Sequence, residues 1–167
     1  MQKEKQLVIG VDIGMGGAIA LFDQRMGKII TIDDMPTIKG EKGRRKLDGL
    51  GVFSILNNHK RQGARMIVIE DLHVMFKNGA FASFSVGHGK GFFEGVSIGL
   101  DLEVIMISPQ RWKKHYGLIK VAKEGAIQVA KDLHIGADRF LTRKMDHDRA
   151  DAALLAALPC DILNPLG

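Results

Sequence analysis

Four carboxylates in this sequence stand where a divalent cation could be held. Asp12 lies inside the apolar run Leu7-Val8-Ile9-Gly10-Val11-Asp12-Ile13-Gly14, and Glu70 closes a second run, Met66-Ile67-Val68-Ile69-Glu70. Asp148 and Asp151 sit three residues apart in Asp146-His147-Asp148-Arg149-Ala150-Asp151, a spacing that puts both on one face of a helix. A carboxylate on a buried strand costs several kcal/mol unless it is paired, neutralised or metal-bound, and Asp12 has no cation near it in sequence. Asp148 and Asp151 have a plainer explanation, since acids near a helix N-terminus complement its dipole. Taken together, acids on three apolar elements favour a site. With one cysteine and no histidine pair at zinc spacing, oxygen ligands point to Mg²⁺, with Mn²⁺ the other candidate. Two such ions, ~4 Å apart, activate a water and stabilise a leaving oxygen in phosphodiester hydrolysis.

The elements that must position these acids follow from patterning. Residues 6–13, 18–22 and 29–32 read as three consecutive strands, the first two joined by Gly14-Met15-Gly16-Gly17, so the chain opens with an antiparallel meander. Residues 36–49 turn abruptly basic, with Lys39, Lys42, Arg44, Arg45 and Lys46, and read as a mobile connecting loop. A helix with Leu47, Leu50, Phe53, Ile55 and Leu56 on its apolar side follows, and then the strand that ends at Glu70. Residues 80–100 interleave glycines with phenylalanines and read as a helix whose small residues permit close approach to a sheet or a second subunit. Residues 102–107 form another strand. Ser108-Pro109 then starts a helix carrying Arg111, Trp112, Lys113, Lys114 and His115. A helix over 121–134, with Val121, Ile127, Val129, Ala130 and Leu133 inside, precedes a last helix through 150–158, apolar nearly all round and therefore buried. The order β-β-β-α-β-α-β-α-α-α predicts a mixed α/β sheet, antiparallel in its first three strands and parallel afterwards, flanked by helices.

At 167 residues the chain is read as one domain, 1–167. No run of 18 apolar residues exists and Met1–Gln6 is polar, so the expectation is a soluble, cytoplasmic protein with no membrane partner. Cys160, in the apolar tail, is expected to be a packed thiol. A net charge of +5 favours a polyanionic partner, and an aromatic content of 6 % favours phosphate contacts over extensive base stacking.

These residues resemble the Holliday-junction resolvases of the RuvC type, within the RNase H-like superfamily, and most of all their phage-encoded relatives. The resemblance rests on Gly10-Val11-Asp12-Ile13-Gly14, Ile69-Glu70, the segment from Lys77-Asn78 to Gly95, Pro109-Gln110-Arg111-Trp112-Lys113-Lys114, Lys123–Val129 and Asp148-Arg149-Ala150-Asp151-Ala152. It implies that Asp12, Glu70, Asp148 and Asp151 are the catalytic metal ligands, holding two Mg²⁺ ions. It also implies a homodimer that nicks opposed strands of a four-way junction in a bacterial or phage-infected cell. Lys123 matches a family lysine near the DNA backbone, and Arg111, Lys113 and Lys114 are expected to grip phosphates. An aromatic residue just after the second acid contacts bases in that family. Here Phe76, beside Lys77, takes that position, with His73 as the other candidate. Asp146 and His147 add possible ligands, and the basic stretch 39–46 has no counterpart.

Other readings share some of these residues. A flap-, fork- or three-way-junction nuclease would need the same four acids. Asp12-Ile13-Gly14-Met15-Gly16-Gly17 also resembles the first phosphate loop of actin-like ATPases, which need a second lobe. A DNA-binding module without catalysis would be expected to lack one of the acids, and all are present.

Overall fold

The computed structural model describes residues 6–40, 43–72 and 79–163, except for the side chains of Phe81, Cys160 and Asp161. The apolar runs become five strands of one sheet: β1 (Leu7–Asp12), β2 (Ala18–Asp23), β3 (Lys28–Asp34), β6 (Met66–Glu70) and β7 (Glu103–Ile107). Their spatial order is β3-β2-β1-β6-β7. The β1–β2 and β2–β3 pairs are antiparallel, while β1–β6 and β6–β7 are parallel, as the sequence predicts. The central strands are buried along nearly their whole length, which is why they read as continuous apolar runs.

Helices cover both faces: α1 (Gly49–Gln62), α2 (Ala80–Gly99), α3 (Pro109–His115), α4 (Gly125–Leu133), α5 (Ala137–Phe140), α6 (His147–Ala156) and α7 (Cys160–Leu163). Alternation along β1 divides the core. Ile9 and Val11 pack with Ile67, Ile69, Val52, Leu56 and Phe93, whereas Val8 packs with Val68, Ile107 and the alanine- and leucine-rich α6. Asp12 and Glu70 share the parity of Val8 and Val68, so both belong to the α6 face.

Gly10 determines how closely α6 approaches. A Cβ there would lie 2.1 Å from the Ala152 carbonyl oxygen and 2.5 Å from the Ala156 nitrogen, so the helix backbone rests directly on β1. Gly10→Ala is expected to lower stability by about 3 kcal/mol or more by overpacking, read as a shifted urea midpoint. A variant of unchanged midpoint would mean that α6 does not sit this close.

Four expectations need correcting. The stretch read as a loop contains a hairpin, β4 (Thr37–Lys39) paired antiparallel with β5 (Arg45–Leu47), anchored by the buried Leu47. Basic composition conceals strands this short, because only one side chain needs burying. On α1, Leu56 is buried as expected, but Leu50 and Phe53 are exposed and Val52 and His59 are buried, so the inward face is shifted around the helix. Helix α4 begins at Gly125, leaving Val121 half exposed in the preceding turns. At its end Leu133 faces outward, and Ala126 and Ala130 supply the fully buried contacts. Ser108 precedes α3 without a side-chain capping bond, so Pro109 in the first turn is the start signal that acts. Cys160's packing lies outside the described side chains.

Candidate metal-binding and catalytic site

The parallel register pairs Val8 with Met66 and Val11 with Ile69, so Asp12 and Glu70 follow side by side at the strand ends. Above them, α6 contributes Asp148 and Asp151. All four line one cleft of about 220 Å³, together with Lys113, Lys123 and His147. The sequence-predicted acids are thus brought together, with two of the predicted DNA-contacting lysines beside them. Arg111 is half-buried and Lys114 exposed on α3, outside the cleft lining. Phe76, Lys77 and His73 lie outside the described residues.

Each acid has a distinct tether. Asp12 Oδ1 accepts from the Gly14 backbone N–H at 3.2 Å. Glu70 Oε1 accepts from the Trp112 indole N–H at 2.9 Å, with both residues buried. Asp151 Oδ2 lies 3.9 Å from Lys113 Nζ, and Asp148 Oδ1 lies 3.2 Å from His147 Nε2. Helix α6 is itself fixed to the edge strand. Arg149 donates to Asp34 Oδ1 and to the Ile32 carbonyl, each at 3.0 Å.

Asp146 takes no part in the cleft. It is buried and accepts from the Arg143 backbone N–H and from its Nε, both at 2.7 Å. Burial would raise its pKa, but those bonds and the Arg143 and Arg149 charges outweigh it and hold the carboxyl below its ordinary range. Of the two extra candidates, only His147 faces the cleft.

The electrostatics are those of a site short of positive charge. Burial, then the charges of Glu70 and Asp148, push Asp12 up to about 6, against the pull of the Gly14 N–H and Lys113. Burial also raises Asp151 to about 7, with Asp12, Glu70 and Asp148 adding to it and Lys113 opposing. Glu70 is raised by burial and by Asp148, while the Trp112 bond and Lys113 act the other way. Several desolvated carboxylates, facing the ammonium groups of Lys113 and Lys123, make a set of hard oxygen donors whose mutual repulsion a divalent cation would relieve. Among the described residues no three carboxylate, imidazole or thiol groups stand close enough to cage an ion as they are. The donor chemistry nevertheless fits Mg²⁺ or Mn²⁺, and Mg²⁺ characteristically keeps several of its waters.

Lys113, expected to grip a phosphate, also lies against the acids and over the Trp112 ring, 5.0 Å from its centroid. Trp112 carries no sequence signal of its bond to a residue 42 positions away. The only hint is a large apolar ring among Arg111, Lys113 and Lys114, which marks an inward position on a short helix.

No protein-family model matches the chain, and no curated protein matches it significantly. Solved structures do. Thermus thermophilus RuvC in complex with a Holliday junction substrate aligns over 91 % of this chain and 90 % of its own, with a TM-score of 0.62 at 14 % identity. A second structure of Thermus thermophilus RuvC aligns over 91 % and 92 %, with a TM-score of 0.56 at 15 % identity. At such identities the likeness is one of architecture: this chain has the RuvC-like, RNase H-like fold.

Proposed function

We propose that this protein is a structure-specific endodeoxyribonuclease that resolves four-way DNA junctions by metal-dependent phosphodiester hydrolysis. The observation that carries this reading is the meeting of Asp12, Glu70, Asp148 and Asp151, from three separate elements, in one cleft with Lys113 and Lys123. Support comes from the fold, shared with a protein whose solved structure holds a Holliday junction. The four acids would hold two Mg²⁺ ions, which when bound supply an activated water and neutralise the leaving oxygen. Lys123 at the cleft mouth and Lys113 inside it would bind the phosphate being cut. Phe76 and Lys77 are assigned to the DNA at the strand-exchange point. The protein would act in the cytoplasm of a bacterium or a phage-infected cell. Among the described residues no helix is long and apolar enough to cross a membrane.

The deciding experiment incubates the protein with four-way, three-way, flap and linear DNA, with Mg²⁺ or EDTA. Paired nicks confined to the four-way junction, and only with Mg²⁺, are expected. Equal cutting of flaps and forks would favour the broader branched-DNA nuclease, and no cutting at all would overturn the reading.

Paired nicks require two sites related by a two-fold axis, so the reading includes a homodimer. On α2, Gly87, Gly91, Gly95 and Gly99 face away from the sheet, and a Cβ at any of them would meet nothing within 4 Å. Phe84 and Ile98 are exposed on the same helix, and neighbouring α1 exposes Leu50 and Phe53. This is the surface proposed to pair. Light scattering at micromolar concentration is expected to give twice the chain mass, and Gly91→Glu to give the monomer; a wild-type monomer would remove the dimer.

The β4–β5 hairpin leaves the sheet at the end of β3, where Ala18 pairs with Asp34 beside the Asp12 end of β1. Its Lys39, Arg45 and Lys46 are exposed. With Lys114, Lys120 and Lys123 they are assigned to the phosphate backbone. Neutralising the three hairpin charges is expected to flatten the log–log salt slope of junction binding by about one unit per lost contact. An unchanged slope would return the hairpin to a purely structural role.

A further inference from the structure

The chain's single tryptophan lies fully buried behind Glu70, one of the residues lining the cleft, and its one polar atom is spent on that carboxylate. Helix α3 is short and basic, but three of its contacts point inward. Trp112 donates to Glu70 Oε1, Lys113 leans toward Asp151, and Tyr116, just beyond the helix, donates its hydroxyl to the Leu154 carbonyl at 2.9 Å. The segment thereby ties the end of β6 to α6, the two elements whose acids must act together. Trp112 and Tyr116 also meet edge to face, 6.4 Å between ring centroids. A buried carboxylate beside other acids has every reason to rotate toward solvent. The indole N–H, held in a packed ring, opposes that rotation by fixing one oxygen.

We infer that Trp112 is a positioning residue, whose indole N–H fixes the Glu70 carboxylate in the orientation that receives a divalent cation. The inference rests on the metal reading above. Partners of this kind are typically worth about 10–100-fold in metal affinity or activity.

The test measures Mn²⁺ binding by calorimetry, without DNA and without reference to cleavage. Trp112→Phe keeps the buried ring and deletes the donor, and it is expected to weaken Mn²⁺ binding roughly tenfold or more. A second form covers the case in which that variant folds poorly. Because the chain has one tryptophan, a tryptophan auxotroph fed benzothienylalanine replaces only this N–H by sulfur at nearly constant shape. It should show the same loss of affinity with a far-ultraviolet spectrum like the wild type. The wild-type tryptophan emission should also be quenched by Mn²⁺ with the calorimetric midpoint, and Asp12→Asn should abolish that quenching. Wild-type affinity in both donor-deleted forms would overturn the inference alone, leaving the indole as packing. A wild-type protein that binds no Mn²⁺ would overturn the metal reading and the inference with it.

Discussion

Replacing Asp12, Glu70, Asp148 or Asp151 by its amide is expected to lower four-way-junction cleavage ~10³-fold, the upper range for losing one group that stabilises developing charge. Junction binding should stay within a few-fold of wild type. The separation follows from where the charges lie. Binding is carried by lysines and arginines that meet phosphates, and its strength tracks how many phosphates are neutralised. The four acids repel phosphate, so their loss cannot weaken that grip directly. They line the cleft floor, where burial and mutual repulsion already raise Asp12 and Asp151 well above ordinary carboxylates. An amide matches the carboxylate in shape and keeps an acceptor oxygen, but it brings no negative charge to a cation. Cleavage of labelled junctions under single-turnover conditions, beside gel-shift binding in Ca²⁺ or EDTA, measures both quantities. Full cleavage by any one amide variant would remove that residue from the site. A matching loss of binding would mean that the variant had disturbed the fold.

The acids were legible in the sequence for a physical reason. A β-branched run that ends on a carboxylate is a local conflict between burial and charge, and such conflicts mark sites. Asp12 and Glu70 each sit at the end of such a run, and the strand pairing carries both to the same sheet end. Asp148 and Asp151 were legible as a helical pair. What was not legible depends on long-range packing. The closeness of α6 to β1 turns on Gly10, which in sequence is an ordinary glycine in a strand. The Trp112–Glu70 bond joins two helix and strand ends that no periodicity links. Asp146 reads as a ligand candidate by proximity, but its orientation is fixed by Arg143, three residues earlier, and by Arg149. The hairpin 37–47 was hidden by its own charge, since five of the residues in Lys39–Lys46 are Lys or Arg and, among its described residues, only Leu47 is buried.

Asp151 gives the second large effect, on stability rather than rate. Its pKa is raised from 3.8 to about 7 by burial and by the neighbouring acids, so at neutral pH and above the folded protein carries a charge it disfavours. The sign follows from proton counting. Between pH 3.8 and 7 the folded state keeps a proton that the unfolded chain has released. That contribution to stability is present at low pH and is lost as pH rises through 7. Asp151→Asn has no such proton to lose. In EDTA the variant's advantage over the wild type should therefore grow by on the order of 3 kcal/mol between pH 5 and pH 8, levelling off above that. Taking the difference between the two proteins matters, because His59, lowered by burial to about 4, titrates in the opposite sense below pH 6.5 in both. Mg²⁺ should then close the gap at pH 8. A ligand at a hundredfold excess over its Kd stabilises the folded state by about 2.7 kcal/mol, and only the wild type keeps the full set of donors. Urea denaturation at pH 5, 6.5 and 8, with EDTA or Mg²⁺, reads the whole pattern. A difference that stays flat with pH would mean that Asp151 ionises as an ordinary surface acid. A pH-dependent gap that Mg²⁺ leaves open would mean that the strain at Asp151 is real but is not relieved by a metal.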